Sequence, residues 1–245
     1  MTRISALALL AVGLAACSAA PAEPAGDRVP AIRLTATLST PTDVTLSWLR
    51  QDSVTVAWQA VEFATEPGGP YTILQFLGPD QTAYTHPDLM PETPFYYRVR
   101  PVHGPASDPV DVTLPAGDFD AEAREDDHEW AVPRTVARGP VTTRPIRDAR
   151  TAAAAAPTDL TATVMHANGI RFTWTDHATD EEGYLIEVRA AGSPRYATAA
   201  LLDPDVNSFG LVTLPNEKTA SFRVRAFYFG APSNVAHQRT GPAGQ

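Results

Sequence analysis

The sequence predicts an all-β chain built from two antiparallel sandwiches. A five-residue pattern that begins at Pro41 returns at Pro157, and a tryptophan follows each proline by 17 residues, at Trp58 and Trp174. Apolar and polar residues alternate strictly before each tryptophan, which is typical of a strand with one buried face. Similar short runs recur along the chain between clusters of glycine, proline and aspartate. Many short strands separated by turns indicate sandwiches rather than a helical fold.

A second strand pattern recurs later in each copy. Residues 97–100 (YRVR) and 222–225 (FRVR) alternate apolar and charged side chains, and each run follows a leucine and a proline-containing turn. Further strand-like runs cover residues 71–76 and 184–188. Alternation turns one set of side chains in each strand toward the interior. The predicted core residues are Trp58, Leu89, Val99, Trp174, Leu214 and Val224.

Both halves resemble fibronectin type III domains. The resemblance rests on a proline-led first strand, on the strand-B tryptophan and on a late Leu-x-Pro-x-Thr pattern that begins at Leu89 in the first copy. It is strongest in residues 174–184 (WTDHATDEEGY), which are similar to a Trp-Thr-Asp-Asn-x-x-Asn-Glu-x-Gly-Tyr segment of bacterial copies. Phe95 and Ala220 stand where the family has its corner tyrosine. Because the hydrogen bond of that hydroxyl is lost, we expect looser corners.

These patterns divide the chain into six segments. We predict a signal peptide at 1–16, a flexible tether at 17–30, fibronectin type III-like domains at 31–115 and 157–240, a charged, alanine- and proline-rich linker at 116–156, and a C-terminal tail at 241–245. In the linker, residues 117–129 hold seven acidic side chains and residues 134–150 hold five arginines. The linker lacks a clear apolar period and is predicted to be flexible, with Trp130, Val132 and Val136 able to dock on a domain.

The N-terminus carries the pattern of an export signal. Arg3 precedes an apolar run, residues 4–14, that is shorter than the roughly 20 residues a membrane span requires. The Leu-Ala-Ala sequence before Cys17 resembles the lipobox of bacterial lipoproteins. That resemblance implies a diacylglycerol thioether on Cys17, cleavage before it, and acyl chains such as palmitate that hold the protein on a membrane. Ser18 then favours the outer membrane where there are two. An ordinary secretory signal is the alternative.

The sequence offers little support for a metal centre or an active site. Residues 126–129 (DDHE) are interpreted as a solvated acidic linker, with a weak divalent-cation site as the alternative, because calcium-loop spacing is missing. The histidines lack zinc spacing, and the sequence has neither a Gly-x-Ser-x-Gly elbow nor a phosphate-binding glycine loop. Cys17 is the one cysteine. We therefore predict no catalytic residue, no metal and no cofactor.

Three side chains form the predicted binding surface. Tyr96 is out of phase with its neighbours on the predicted strand and should be exposed, and exposed aromatic rings stack on sugars or anchor partners. Asp176 and Glu181 lie in the predicted B–C loop, where we favour bonds to the local backbone over a catalytic carboxylate pair. The arginines of the linker are expected to associate with its acidic half, and an anion or lipid-headgroup patch is the alternative.

The functional expectation combines the anchor with the two domains. It is an exported, non-enzymatic protein, lipid-anchored in the cell membrane or outer membrane, whose domains bind an envelope protein or polysaccharide or act as spacers. The alternative is a structural subunit of an envelope assembly, or an accessory to a secreted enzyme or secretion system. The net charge of −9 argues against nucleic acid as a partner, because phosphates repel an acidic surface.

Overall fold

The computed structural model describes residues 30–117, 128–137 and 139–242, and Cys17 with the predicted signal peptide lies outside them. These residues confirm an all-β fold, to which two short 3₁₀ turns are added at Ala152–Ala155 and Pro215–Glu217. No helix within them is both long and apolar enough to cross a membrane. The strands are Ile32–Thr40 (β1), Asp43–Arg50 (β2), Trp58–Ala64 (β3), Thr72–Leu77 (β4), Ala83–His86 (β5), Pro94–His103 (β6), Val110–Thr113 (β7), Thr158–His166 (β8), Gly169–Thr175 (β9), Gly183–Ala190 (β10), Ala197–Leu202 (β11), Ser208–Val212 (β12), Thr219–Phe229 (β13) and Ala236–Arg239 (β14).

The first sandwich packs the sheet β1-β2-β5 against strands β4, β3 and β6. Alternate side chains of each strand enter the core, because successive residues point to opposite faces of a sheet. Leu46 and Trp48 do so in β2, and Tyr97 and Val99 do so in β6. The indole N–H of Trp48 donates a buried hydrogen bond of 2.7 Å to Gln59 Oε1. This bond joins the two layers through the core.

The second sandwich repeats this arrangement with the sheet β8-β9-β12 facing strands β11, β10 and β13. Phe172 of β9 and Phe222 of β13 contact each other across the core with ring centroids 5.0 Å apart. Trp174 and Tyr184 form a similar pair at 5.5 Å. Each such pair stabilises the fold by about 0.5–1.5 kcal/mol beyond the burial of its area. The prediction of two antiparallel β-sandwiches is therefore confirmed.

In the first sandwich, the tryptophan that corresponds to Trp174 is not Trp58, the residue that the sequence suggested. Trp48 is the counterpart of Trp174, because each lies on the central strand of its three-stranded sheet. Trp58 instead opens β3 after an irregular segment. Pro41 lies in the turn between β1 and β2, whereas Pro157 precedes β8. Both segments alternate, but the one that ends in Trp48 has strand partners on two sides.

Most of the predicted core residues are buried, and one is not. The buried ones are Trp58, Leu89, Val99, Trp174 and Val224, each at most 7% exposed. Leu214 is 60% exposed, so its prediction as a core residue is wrong. It follows the end of β12 and begins a 3₁₀ turn, whereas Leu211, within β12, reaches the core.

Each sandwich is completed by a strand from the other half of the chain. Strand β7 follows the first sandwich in sequence but pairs antiparallel with β13 of the second, where Val112 lies opposite Ala220. Strand β14 pairs with β6 of the first sandwich, where Ala236 lies opposite Tyr97. The predicted domain boundaries followed chain order and so placed both strands in the wrong sandwich. Alternation reveals which face of a strand is buried, and it does not reveal the strand's partner.

The two sandwiches also share a sheet. Strands β6 and β13 pair antiparallel near their C-terminal ends, with Tyr228 opposite His103, and this pairing produces one eight-stranded sheet. Gly104 follows β6 with φ of +125°, and a Cβ atom there would lie 2.1 Å from the carbonyl oxygen of Ala226. Only glycine allows this approach. The halves are therefore joined directly by backbone pairing.

The described part of the predicted linker, residues 128–137 and 139–156, packs on the second sandwich, and we call it the strap. Trp130 is 8% exposed. Its ring covers Gly169 and Gly210, where a Cβ would come within 2.7 and 2.5 Å of it. Further along the strap, Ile146 joins the main core of this sandwich. The expectation of a flexible linker is wrong for these residues.

Hydrogen bonds hold the strap along the sandwich between its apolar contacts. Arg134 and Ser208 exchange backbone hydrogen bonds of 2.9 and 3.0 Å. The side-chain amide of Asn207 donates to the backbone of Val136 at 2.9 Å and accepts from it at 2.7 Å. The side chains of Val132 and Val136 stay 46% and 37% exposed, so of the three predicted docking residues only Trp130 is buried. A segment that is held by single buried side chains and by backbone hydrogen bonds does not need a periodic apolar pattern in its sequence.

Removal of residues 236–245 is expected to destabilise the first sandwich and to spare the second, because β14 completes the layer that contains β6. Hydrogen exchange followed by mass spectrometry should show a loss of protection in β6, while β10 and β13 keep theirs. A shorter truncation of residues 243–245 is the control. Loss of protection confined to the second sandwich would contradict the strand exchange.

Candidate functional site

Tyr96, the predicted aromatic contact, belongs to the strand exchange. It lies opposite His237 of β14, and the two rings stack with centroids 4.7 Å apart and an interplanar angle of 26°. Tyr96 is half-buried as a result. The ring is out of phase with the core side chains, as predicted, but one of its faces is already covered.

A polar network is buried where the two sandwiches meet. Trp58 of the first sandwich donates its indole N–H to Glu187 Oε1 of the second at 2.6 Å. Arg225 Nε donates to the same oxygen at 2.5 Å, and its Nη1 donates to the Gly104 carbonyl at 2.6 Å. Arg223 forms a further ion pair with Glu187. The Glu187 side chain is 0% exposed, so protein groups alone neutralise its charge.

An apolar cluster surrounds this network. Its buried members are Trp58, Ala60, Val102, Leu185 and Phe227, which come from both sandwiches. In such surroundings hydrogen bonds are electrostatically stronger and an unpaired charge is costly. Burial would by itself raise the pKa of Glu187, but the hydrogen bonds and charge of Arg225 lower it overall, with help from Trp58 and Arg223. Glu187 therefore ties the two halves together as a carboxylate.

Arginine side chains stack on aromatic rings near the junction. Arg100 of the first sandwich lies 4.1 Å from the ring centroid of Phe229 and 3.8 Å from Glu182, both of the second. Arg147 of the strap lies 4.6 Å from the ring centroid of Tyr228 and donates a 2.7 Å hydrogen bond to Glu182. Contacts of this kind contribute about 0.5–1 kcal/mol at exposed sites. These arginines reinforce the junction.

The arginines of the linker were expected to pair with its acidic half. Arg134 does so through Glu129, whereas Arg147 pairs with Glu182 of the sandwich loop. Arg150 forms a 2.9 Å ion pair with Asp148, two residues before it. Residues 118–127, which hold most of the acidic half, lie outside the described residues. The strap's arginines thus contact local partners on the second sandwich or within the strap itself.

Three acidic side chains from two loops of the second sandwich meet, and we call them the acidic cluster. Asp176 follows β9, Glu181 precedes β10, and Asp205 lies between β11 and β12. One carboxylate oxygen of each lies within 4.8 Å of the other two. Asp176 and Glu181 were predicted to form a binding surface, and the structure brings them together. The sequence did not predict Asp205 as part of this group, because it lies 24 residues beyond Glu181 and no local pattern connects them.

The backbone holds the acidic cluster in place. Asp176 Oδ1 accepts a 2.8 Å hydrogen bond from the N–H of Ala178, and Glu181 Oε1 accepts one of 3.3 Å from the N–H of Asp205. These are the local bonds that the sequence suggested for Asp176. Asp176 and Glu181 are half-buried and Asp205 is exposed. Burial, together with the charges of Asp176 and Asp205, raises the pKa of Glu181.

Tyr184 lies fully buried beneath the acidic cluster. Its hydroxyl has no hydrogen-bond partner, although buried polar groups nearly always have one. Burial raises the pKa of Tyr184 far above its usual range, and the carboxylate of Asp176 adds to that effect, followed by those of Glu181 and Asp205. The hydroxyl therefore lies within the electrostatic influence of the three carboxylates, and that of Asp176 is the strongest.

Thr158 and His177 bring a hydroxyl and an imidazole into contact at the edge of the strap. Thr158 Oγ1 lies 2.8 Å from His177 Nε2, a distance that suits a nucleophile and its base. However, the other ring nitrogen of His177 lies 2.9 Å from the carbonyl oxygen of Thr142 in the strap. The carbonyl of His177 accepts a 2.8 Å hydrogen bond from the N–H of Arg144. This group fastens the strap to the sandwich.

Comparisons with known proteins support no functional argument. No protein-family model matches the sequence, and no curated protein matches it significantly. Among solved structures, the chain is similar to a two fibronectin type III domain segment of chicken tenascin, with 13% identity over 84% of this chain and 97% of that one. It is also similar to the FN1–FN3 domains of chicken CNTN1, with 18% identity over 87% of this chain and 66% of that one. The TM-score is 0.26 in both cases, so the fold assignment rests on the strands themselves.

The substitution Glu187→Gln tests the junction. Folding lowers the pKa of Glu187, so its ion pairs stabilise the fold above the unfolded-state pKa of about 4.3 and lose that effect as the pH falls through the lower folded value. We expect the variant to lose about 3–5 kcal/mol of unfolding free energy at neutral pH, because two arginines lose their buried counter-charge. Its stability should also fall less than that of the wild type on acidification.

Urea denaturation at neutral pH and at about pH 3, on either side of the reference carboxyl pKa, measures both effects. Glu66→Gln is the matched control, because Glu66 is an exposed glutamate on the first sandwich. Equal losses from the two substitutions would show that Glu187 does not hold the halves together.

Proposed function

We propose that this chain is a non-enzymatic, lipid-anchored protein of the bacterial cell envelope whose two sandwiches act as one body. That body binds a protein or glycan partner, or holds it away from the membrane. The observation that carries the proposal is the reciprocal exchange of β7 and β14, which makes each sandwich depend on the other. A partner bound to one half is thereby held at a fixed position relative to the other.

The polar groups of the described residues support a role without catalysis. Glu187 and its arginines join the halves, and the pair of Thr158 and His177 fastens the strap. These groups would be the first choices for acid–base or nucleophilic chemistry, and each has a structural task. Binding through loops or sheet edges is then the remaining use of the surface.

The anchor is proposed from the sequence around Cys17. Each buried acyl CH₂ contributes about 0.8 kcal/mol, so two or three chains hold a protein firmly on one leaflet. Residues 18–30 are rich in alanine, proline and acidic residues, a composition that suits a tether of roughly 3 Å per residue. The tether would place the sandwiches some tens of Å from the lipid.

A structural role in an envelope assembly is the second candidate, and strand β11 favours it. This strand ends the eight-stranded sheet and pairs on one side only, with β10. Its sequence, ATAALL, carries no charge, and Leu201 is 47% exposed. Natural edge strands usually carry a charge or proline that blocks pairing with another chain. An uncharged edge suits the addition of a strand from a neighbour.

Metabolic labelling with palmitate tests the anchor. The wild-type chain is expected to incorporate label and to partition with membranes, whereas Cys17→Ser, which removes the sulfur that takes the diacylglycerol, should do neither. Ser18→Ala, which leaves the thiol intact, is the control and should be labelled like the wild type. Equal labelling of wild type and Cys17→Ser would contradict lipidation.

Native mass spectrometry of detergent extracts separates the two roles. A binding or spacer protein is expected as a monomer, with or without a different partner, over the whole concentration range. A structural subunit should form oligomers that Leu201→Lys dissociates, because a charge at an edge opposes strand pairing. Met90→Lys changes another exposed apolar residue and serves as the control. Oligomers lost in Leu201→Lys alone would replace the first role with the second.

A further inference from the structure

We propose that the acidic cluster, Asp176, Glu181 and Asp205, binds a divalent cation, and that calcium is the best match. This site departs from the prediction made from sequence, which placed Asp176 and Glu181 on a binding surface and expected no metal. It is independent of the lipid anchor and of any partner of the sandwiches.

The spacing of the three carboxylates fits a single ion. One oxygen from each lies within 4.8 Å of the other two. Calcium binds oxygen at about 2.3–2.6 Å, so two ligands on opposite sides of one ion are about 5 Å apart at most. One ion can therefore contact all three residues with small side-chain movements. Water would supply the remaining ligands, since Asp205 is exposed.

The acidic cluster contains three carboxylates and no basic side chain. Among the residues that the structure describes, no arginine, lysine or histidine forms an ion pair with Asp176, Glu181 or Asp205. Arg147, in the strap, pairs with Asp180 and Glu182 instead. Three like charges at this distance repel one another, and a cation removes the repulsion.

The hydroxyl of Tyr184 is the second, independent observation. It is completely buried, makes no hydrogen bond of regular geometry, and is influenced by all three carboxylates, by that of Asp176 most. A buried polar group without a partner costs about 1–3 kcal/mol. A water molecule in the ligand shell of a bound cation would give this hydroxyl its missing hydrogen bond.

The ligand chemistry selects the kind of cation. All the protein ligands are carboxylate oxygens, which suit calcium, magnesium or manganese rather than zinc or copper. Two loops of irregular shape contribute them, and calcium accepts irregular geometry more readily than magnesium does. The site would also reach the strap, because Thr135 Oγ1 donates a 2.7 Å hydrogen bond to the carbonyl of Asp205. A bound ion would thus join both loops and the strap.

Terbium luminescence tests the site on the full-length chain, with terbium as the probe for a calcium site. Trp174 and Tyr184 lie 5.5 Å apart, and Tyr184 borders the cluster, so excitation of these rings should transfer energy to bound terbium. We expect saturable emission from one ion per chain, which calcium displaces and magnesium displaces more weakly. Asp205→Asn should weaken terbium binding about tenfold or more, because affinity follows the number of charged ligands.

Asp203→Asn is the matched control, since it removes the same charge two residues away on the same loop. Equal terbium affinity in Asp203→Asn and Asp205→Asn would overturn the proposal. Thermal unfolding of the wild type gives a second measurement that needs no variant. Calcium should raise its melting temperature in proportion to the logarithm of the calcium concentration above the dissociation constant. A melting temperature unchanged by calcium would also overturn the proposal.

Discussion

The fourth strand of each larger layer comes from the opposite half of the chain, and the rest of the molecule is arranged around this exchange. A sheet that lacks its edge strand leaves a row of unpaired backbone groups and an open end to the core. Strands β7 and β14 remove that cost in both sandwiches at once. Since neither half is complete alone, the stability of one is coupled to that of the other.

The junction shows what the exchange requires of individual residues. Gly104 lets two backbones approach where any side chain would collide with Ala226. Glu187 and Trp58 then join the two sandwiches through a buried hydrogen bond. A buried ion pair is weak evidence for stability, but it does require one particular alignment of its partners. The network therefore specifies how the halves meet as much as it stabilises them.

The sequence revealed the strands more readily than their partners. Alternation identified the runs that contain Val99 and Val224, because burial of one face leaves a local pattern. Alternation could not show whether Trp48 or Trp58 is the counterpart of Trp174, because both residues end an alternating run. Only the pairing of their strands distinguishes them. The place of Asp205 in the acidic cluster had no local signal at all, because it depends on two loops that meet only after folding. The strap was missed for a similar reason, since its anchors are single residues such as Trp130.

The strand exchange also determines when the first sandwich can fold during synthesis of the chain. Strand β14 pairs with residues of β6 that precede it by more than a hundred positions, so the first sandwich cannot close until β14 has been made. Contacts so distant in sequence form slowly, because a long loop must be ordered first. A nascent N-terminal half therefore stays incomplete while its ribosome is still at work. In the exported protein that we propose, this delay would keep the chain unfolded for translocation until β14 emerges.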